Sequence, residues 1–530
     1  ASVERALDVL AAQGVEAVAV SLLHSYANPE HERRIAEIAA VRHPEMMVSL
    51  SSAAACEFRE YERTTTTTVD AFLRPRVSGY LAALDEDTAA LGIVGLEVMQ
   101  SNGGIVPAAT AADSPLSMLR SGPAAGVAGA IAVAQQAGFD DIVTMDMGGT
   151  STDVAVVHAG RVEMTADCDA DGLPLRVPMV DIVAVGAGGG SLVGIDSGGL
   201  LTVGPRSAGA EPGPVCYGRG GSQLTVTDAN LVRGLIRAEA FLGGKHRLDR
   251  SAAIAAFEKL GSTLSRTVEE VAEDVYRLAS IHMASAIRIA TTERGHEVER
   301  YTLVAYGGAG ALHAATVADE LGMPRVLVPP HAGLASAYGL LTARFQRAYA
   351  RTHLVDATPD ADLDEPRRVL ADDARAELRE QGIPLDDATL SFTADMRYRG
   401  QGFEVSVDLH DDDTITTLVD RFHTVHRRRY GHAEVGRPVQ VVTLRLTVNR
   451  PQPETALPRV DPHPGQPQVE HTILERGEPV LATFRRRSAL AVGDKVPGPA
   501  VIEDDTSTIF VPSGWYAAVD PHTNIIVERG

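Results

Sequence analysis

Short apolar runs alternate with helically spaced apolar positions from the first residues onward. Val3 to Ala12 carries the i, i+3, i+4 spacing of a helix, Val15 to Leu23 (VEAVAVSLL) reads as a buried strand, and Asn28-Pro29 opens a second helix through Ala40. The chain thus begins inside an α/β unit. Further along, Ile142 and Val143 precede, and Val154, Val156 and Val157 follow, the polar segment around Gly148-Gly149. β-Branched flanks favour strands and two glycines permit a tight turn, so a β-hairpin with a polar tip is predicted.

From about residue 45 to 345, glycine loops punctuate short strands and Ala-rich helices: SNGG (101–104), SGPAAGVAGA (121–130), VGAGGGS (185–191) and YGGAGALHA (306–314). After Tyr349 the texture changes. Asp356 to Asp387 is charged and helical, and short strands with Pro-rich breaks follow, notably Pro451 to Pro467, with a helix near Phe422 to Tyr430. These shifts predict three segments: 1–45, 46–345, and a separate β-rich domain over 350–530. The threonine run Thr64 to Thr68 after REYER (59–63) fits strand propensity as well as it fits contacts to a substrate.

A chain of 530 residues implies two to four domains, and a net charge of -22 argues against a nucleic-acid partner, whose phosphates would repel such a surface. The Arg427-Arg428-Arg429 cluster reads as a solvated helix face. Cys56, Cys168 and Cys216 form no C-x-x-C pair, which excludes a disulfide framework and suits a reducing cytoplasm. No apolar run approaches the ~20 residues of a membrane span and no signal peptide opens the sequence, so no membrane partner is expected. The first residue is Ala1, so a segment upstream is expected.

The predicted hairpin carries Asp146, Gly148, Gly149, Thr150, Ser151, Thr152 and Asp153. Glycine lets backbone N–H groups approach a phosphate closely and the hydroxyls add donors, so the tip suits a polyphosphate. The two carboxylates would repel that phosphate unless a hydrated Mg²⁺ lay between them; a Gly turn with local caps is the other reading. Ser121-Gly122-Pro123 reads as a helix start. Gly308-x-Gly310 is a partial dinucleotide fingerprint, with His313 on a helix face, and the Walker pattern is absent. The dense glycines Gly186, Gly188, Gly189 and Gly190 imply either a close approach to the backbone or a mobile loop. Asp181 and Asp228 are further carboxylate candidates. Cys216, among turn residues, is a thiol that such a setting would expose, and His423, His426 and His432 read as an exposed helix rather than a metal site.

Together these segments resemble the hydantoinase A/5-oxoprolinase family. The resemblance rests on LLHSYANPEHE (22–32), REYERTTTT (59–67), MQSNGG (99–104), SGPAAGV (121–127), MDMGGTSTDV (145–154), VGAGGGSLVGID (185–196), TVTDAN (225–230), YGGAGALHA (306–314), HAGLASAYGLL (331–341) and GPAVIEDDTSTIFVPSGW (498–515). It implies an α/β, actin/hexokinase-like (ribonuclease H-like) ATPase core followed by a C-terminal β-rich α+β domain. It also implies ATP-dependent opening of a hydantoin or 5-oxoproline type ring, with a hydantoinase B/oxoprolinase B-type subunit as partner in an oligomer. Relatives form acetone or acetophenone carboxylases, so a carboxylase subunit is an alternative, as is a non-catalytic binding subunit.

By this resemblance Asp146, Asp153 and Asp228 are the catalytic candidates, with Asp146 and Asp153 at Mg²⁺. Gly148, Gly149, Thr150, Ser151 and Thr152 form a phosphate loop that Gly188, Gly189 and Gly190 join, while Gly307, Gly308 and Gly310 lie on the adenosine side of ATP. The family's other D-x-G-G-T-x-T-D hairpin does not precede residue 22, so the core is expected to be incomplete at its N-terminus. Val183 stands where the family commonly has a histidine, and GHEVER (295–300) departs from a common G-x-D-P-R.

Overall fold

The apolar run after Val15 forms a strand, Ala17–Val20, paired in parallel with Met47–Leu50, with helices Ser2–Ala12 and Glu30–Arg42 beside it. This is a computed structural model; it describes all residues except 94, 171, 451–456, 458 and 464–466, so most of the Pro-rich stretch expected between Pro451 and Pro467 lies outside the described residues. By packing the chain sorts into two units. The first comprises Ala1–Ala124, Met164–Val180 and Ala343–Glu454; the second comprises Ala125–Glu163, Asp181–Thr342 and Thr455–Gly530.

In the first unit, the long helix Glu60–Ala90 contains the threonine run, so the expected strand is not formed there. Its hydroxyls answer for the difference: Thr65, Thr66, Thr67 and Thr68 each donate to the carbonyl four residues back, at 2.6 to 2.8 Å. That local bonding occupies the hydroxyls inside the helix. Glu32 is fully buried and accepts from Leu22 N, Ser51 Oγ and Ser52 N, so the LLHSYANPEHE segment closes its start onto a carboxylate in the first turn of helix Glu30–Arg42. A four-stranded antiparallel sheet, Gln346–Asp356, Val439–Asn449, Thr389–Tyr398 and Val405–Leu409 in spatial order, packs against helices Asp364–Glu380 and Ile415–Tyr430. His423 and His426, expected on an exposed helix, are buried instead. They share the apolar face with Phe422, and His423 Nδ1 lies 2.8 Å from Tyr398 Oη, while Arg427 to Arg429 occupy the solvent side.

The first unit also buries an ion cluster. Glu57 accepts from both Nη atoms of Arg445 at 3.0 Å and from Arg176, and Arg445 Nε donates to Asp395 at 2.8 Å. Burial alone would raise the Glu57 carboxyl, but the Arg445 and Arg176 guanidiniums outweigh it and hold the group down at about 2.

The second unit is built on a sheet of nine strands among the described residues. Its spatial order is Ile182–Val185, Thr152–His158, Ile142–Met147, Thr302–Tyr306, Arg325–Val328, Ile525–Arg529, Trp515–Val519 and Lys495–Pro497, with Arg161–Val162 paired to Thr152–His158. Thr302–Tyr306 is parallel to both its neighbours, Ile142–Met147 and Arg325–Val328. Helices Val268–Ala290 and Gly310–Leu321 pack on this unit, and Tyr276 Oη donates to Leu312 O at 3.1 Å. Central strands read as near-continuous apolar runs, as sheets covered on both faces do. From the β-rich stretch expected over 350–530, two strands extend the central sheet: Ile525–Arg529 pairs antiparallel with Arg325–Val328, and Trp515–Val519 pairs antiparallel with Ile525–Arg529.

Candidate functional site

The predicted hairpin is present, with strands Ile142–Met147 and Thr152–His158 in a register that sets Asp146 directly against Asp153. Its turn closes by Gly148 N donating to Ser151 O at 3.1 Å. Gly149 and Thr150 are exposed, and a Cβ placed on Gly148 or Gly149 would meet nothing within 4 Å. The outer face of the tip is open to a ligand. Among the described residues the amides of Gly149 and Thr150 have no hydrogen-bond partner.

The VGAGGGS loop lies against the inner face of this tip. Gly189 N donates to Gly148 O at 3.0 Å and Gly190 N to Gly149 O at 2.6 Å. A Cβ on Gly188 would stand 2.7 Å from Ser151 N and from Thr150 C, so glycine is required by backbone meeting backbone. The loop thus makes a close approach, as its density of glycines implied, but to the hairpin. Its amides are committed, since Gly188 N donates to Ser191 Oγ at 2.7 Å, so Gly188, Gly189 and Gly190 brace the hairpin tip. A trans peptide points its C=O and the next N–H in opposite directions. With the Gly148 and Gly149 carbonyls held by the glycine loop, the N–H groups of Gly149 and Thr150 face away from it, toward the open side.

The GGAG stretch flanks the carboxylates. Gly307 has φ of +78°, and a Cβ there would lie 2.4 Å from both Asp146 Oδ1 and Met147 O; Ala309 N donates to Met147 O at 3.1 Å. Gly310 begins helix Gly310–Leu321. Gly308 is open on the side where Thr506 O lies 3.9 Å from its Cβ position. Thr506, in the EDDTST segment, also accepts from Gly333 N at 3.3 Å, so the C-terminal motif contributes to these loops.

Burial first, and the Asp153 charge second, push the Asp146 carboxyl up to about 6. Tyr306 is paired in register with Asp146, is fully buried, and has its phenol raised by burial and by Asp146. Sequence reasoning missed Tyr306, which only the parallel register of Thr302–Tyr306 with the hairpin strand sets beside Asp146. No group of three or more His, Cys, Asp or Glu side chains that could hold a metal occurs among the described residues. Two opposed carboxylates beside an open amide tip still fit Mg²⁺, which keeps several waters and takes one or two carboxylates plus phosphate oxygens.

Several expected site residues have other duties. Thr152 is fully buried and its hydroxyl donates to Ala187 O, so it ties the hairpin to the glycine loop. Asp228 is fully buried and accepts from Cys216 N at 2.8 Å, Thr225 N at 2.9 Å and Thr225 Oγ1 at 2.8 Å, as the partner in a helix capping box. It organises the turn and start of the helix. Cys216 is fully buried, correcting its expected exposure, and burial together with Asp228 raises its thiol far above the usual range. His313 is a core residue: Asn230 Nδ2 donates to its Nε2 at 3.2 Å, its Nδ1 lies 3.0 Å from Ser280 Oγ, and burial lowers it to about 3. Asp181 pairs with Arg294.

Comparison with known proteins bears on this arrangement. The family models described as hydantoinase/oxoprolinase, its C-terminal domain and its N-terminal region match residues 63–349, 356–528 and 1–42 respectively. The chain is 35% identical to the caprolactamase subunit alpha of Pseudomonas jessenii over 551 residues, covering 100% of this chain and 79% of that protein. It is 31% identical to the acetophenone carboxylase gamma subunit of Aromatoleum aromaticum, covering 98% and 75%. The crystal structure of the ATP-dependent caprolactamase from Pseudomonas jessenii superposes with a TM-score of 0.87 at 33% identity, covering 100% of this chain and 79% of that one.

Proposed function

The chain belongs to the hydantoinase/oxoprolinase family, with an actin/hexokinase-like ATPase core, and from this premise we propose that it opens a cyclic amide at the expense of ATP. The observation that carries the reading is the hairpin tip: two amides aimed outward at Gly149 and Thr150, above a pair of opposed carboxylates. Fixed donors of this kind stabilise charge developing on a transferring phosphoryl group.

In the reaction the amide oxygen of the ring attacks the γ-phosphorus, an O–P bond forms, the bond to the β–γ bridging oxygen breaks, and ADP leaves. The ring nitrogen gives up its proton. Water then adds to the activated carbon and the ring C–N bond breaks with proton return to nitrogen; a second water releases phosphate. The sum is ring amide, ATP and two waters giving the open amino acid, ADP and phosphate. Here the Gly149 and Thr150 N–H groups bind phosphate oxygens, with the hydroxyls of Thr150 and Ser151 beside them. Asp146 and Asp153 would hold Mg²⁺, partly through water, and the ion would supply charge neutralisation. The Gly307 turn keeps Asp146 in place.

The partner in this reading is a B-type subunit, in keeping with relatives that are themselves subunits, and the setting is the cytoplasm. No helix among the described residues is long and apolar enough to cross a membrane. The similarity to an acetophenone carboxylase subunit supports a second reading, phosphorylation of a ketone enolate and bicarbonate. The test is ADP release with Mg-ATP and a panel of lactams, hydantoins, and ketones with bicarbonate, run with and without the B-type subunit. Acceleration by a ring amide supports the first reading; acceleration only by ketone with bicarbonate replaces it with the second.

A further inference from the structure

Helix Val226–Val232 is buried along its whole length, and its three polar side chains each reach a different part of the second unit. Thr227 holds the glycine loop: its N and its Oγ1 both donate to Gly189 O, each at 2.8 Å. Asp228 holds the turn at Val215 and Cys216. Asn230 reaches His313 in helix Gly310–Leu321, which follows the GGAG stretch. The segment before the helix is also strapped to the strand after the glycine loop, since Val193 N donates to Leu224 O at 2.8 Å. Thr227 therefore stands on a fixed base. A helix leaves its first N–H groups without intrahelical partners, and here the loop carbonyl takes the one at Thr227. A carbonyl oxygen only accepts, so the Thr227 hydroxyl is the donor, and both lone pairs of Gly189 O are filled.

The direction of that grip matters, because a trans peptide sets its C=O and the following N–H on opposite sides. In the Gly189–Gly190 peptide the carbonyl end is held by Thr227, and the N–H end donates to Gly149 O at 2.6 Å. In the Gly149–Thr150 peptide the carbonyl takes that bond, and the Thr150 N–H faces the open side of the tip. Two peptide planes thus stand in series between Thr227 and the outer face, with every hydrogen bond running the same way. Bonds in such a series polarise one another, so donation at the buried end strengthens the donor at the open end. Ser207 Oγ is a second, longer donor to Gly149 O at 3.5 Å, which keeps the contribution of Thr227 modest. The Gly149 N–H ends a separate series: Ser191 N donates to Gly188 O and Gly189 N to Gly148 O, both at 3.0 Å. Thr227 acts on the Thr150 donor by its own route.

Resting on the reading of the hairpin tip as a phosphate site, we propose that Thr227 is a positioning residue for the nucleotide: it aims and strengthens the Thr150 N–H through the Gly189–Gly190 and Gly149–Thr150 peptides. The experiment is calorimetric titration of the 530-residue chain with Mg-ATP, beside Thr227→Val, Thr227→Ser, Gly149→Ala and the double variant Thr227→Val/Gly149→Ala. Valine keeps the shape and the backbone N–H and loses the hydroxyl donor, and Kd rises about threefold to tenfold. Serine returns the donor and brings Kd back to within about twofold of the parent. In the Gly149→Ala chain, where the tip is already obstructed, Thr227→Val adds less than its single effect, because both changes act at one site. Thr227→Ala removes the same donor without a branched side chain and takes the place of valine if that variant does not fold. An unchanged Kd in the folded valine or alanine variant, no recovery with serine, or full additivity with Gly149→Ala overturns the proposal. Its failure is separable from that of the parent reading. Weakened Mg-ATP in Gly149→Ala with unchanged affinity in Thr227→Val sinks the positioning role alone. No Mg-ATP binding by the parent chain, or equal binding by Gly149→Ala, takes down the phosphate reading and this role together, whereas the predicted pattern without ring-amide-driven ADP release sinks the hydrolase reading alone.

Discussion

Asp146 and Asp153 face one another as a directly opposed pair across the hairpin ladder, and burial plus this opposition lifts the Asp146 carboxyl to about 6. Its ordinary value is 3.8, so between pH 4 and 6 the folded chain holds a proton that the unfolded chain has released. Stability therefore falls as pH rises through this window and stays lower above it.

Asp146→Asn removes the charge that is resisted. We expect a gain of roughly 2–3 kcal/mol at pH 8 without Mg²⁺, a flatter stability curve between pH 4 and 7, and loss of ring-amide-dependent ADP release. Thermal unfolding followed across pH, alongside turnover, checks both halves. A destabilised variant would show that the pair is satisfied in some other way.

Two glycine substitutions separate support from contact. Gly188→Ala drives a methyl into Ser151 N and Thr150 C, and destabilises the second unit by about 1–3 kcal/mol while weakening nucleotide binding. Gly149→Ala enters open space and leaves unfolding within about 0.5 kcal/mol of the parent, yet weakens Mg-ATP because phosphate must come close there. Calorimetry with Mg-ATP beside denaturant titration reads both. Equal nucleotide affinity in Gly149→Ala would remove the tip from the phosphate site.

Glu57 binds one buried guanidinium, Arg176, and one half-buried guanidinium, Arg445, in the first unit. Its folded value of about 2 lies below the ordinary 4.5, so its contribution is present above pH 4.5 and is lost as pH falls toward 2. Glu57→Gln leaves Arg176 and Arg445 without that counter-charge, and an expected loss of about 3–5 kcal/mol at pH 7 is measurable by denaturant unfolding.

Cys216 carries a fully buried thiol raised by burial and by Asp228. Thiolate is the reactive form. Mass spectrometry after iodoacetamide treatment at pH 8 is expected to find Cys216 unlabelled in the folded chain and labelled in denaturant. Rapid labelling without denaturant would reopen a role as nucleophile.

Local chemistry made part of this legible in the sequence. The hairpin at 142–158 followed from β-branched flanks and a Gly-Gly turn, and the helix at Ser121 followed from its Ser-Gly-Pro start. The threonine run misled because strand propensity depends on context, and here each hydroxyl from Thr65 to Thr68 found a carbonyl four residues back. The arginines at 427–429 drew attention from the i, i+1, i+4 pattern of Phe422, His423 and His426, which marks their buried face. The pairing of Gly189 and Gly190 with Gly148 and Gly149 joins residues about forty positions apart. No local pattern records such a contact, so the glycine loop looked like a phosphate binder when its amides belong to the hairpin.

That pairing also fixes when the disorder of these glycines is lost. Glycine surrenders more backbone freedom than any other residue on ordering, and here the carbonyls of Gly148 and Gly149 are already held by the neighbouring loop. The entropy is spent during folding, so in the proposed reading phosphate meets donors that need little further ordering. Association at the tip should consequently be limited by encounter and water displacement, and its affinity should respond to changes in the supporting loop as strongly as to changes in the tip itself.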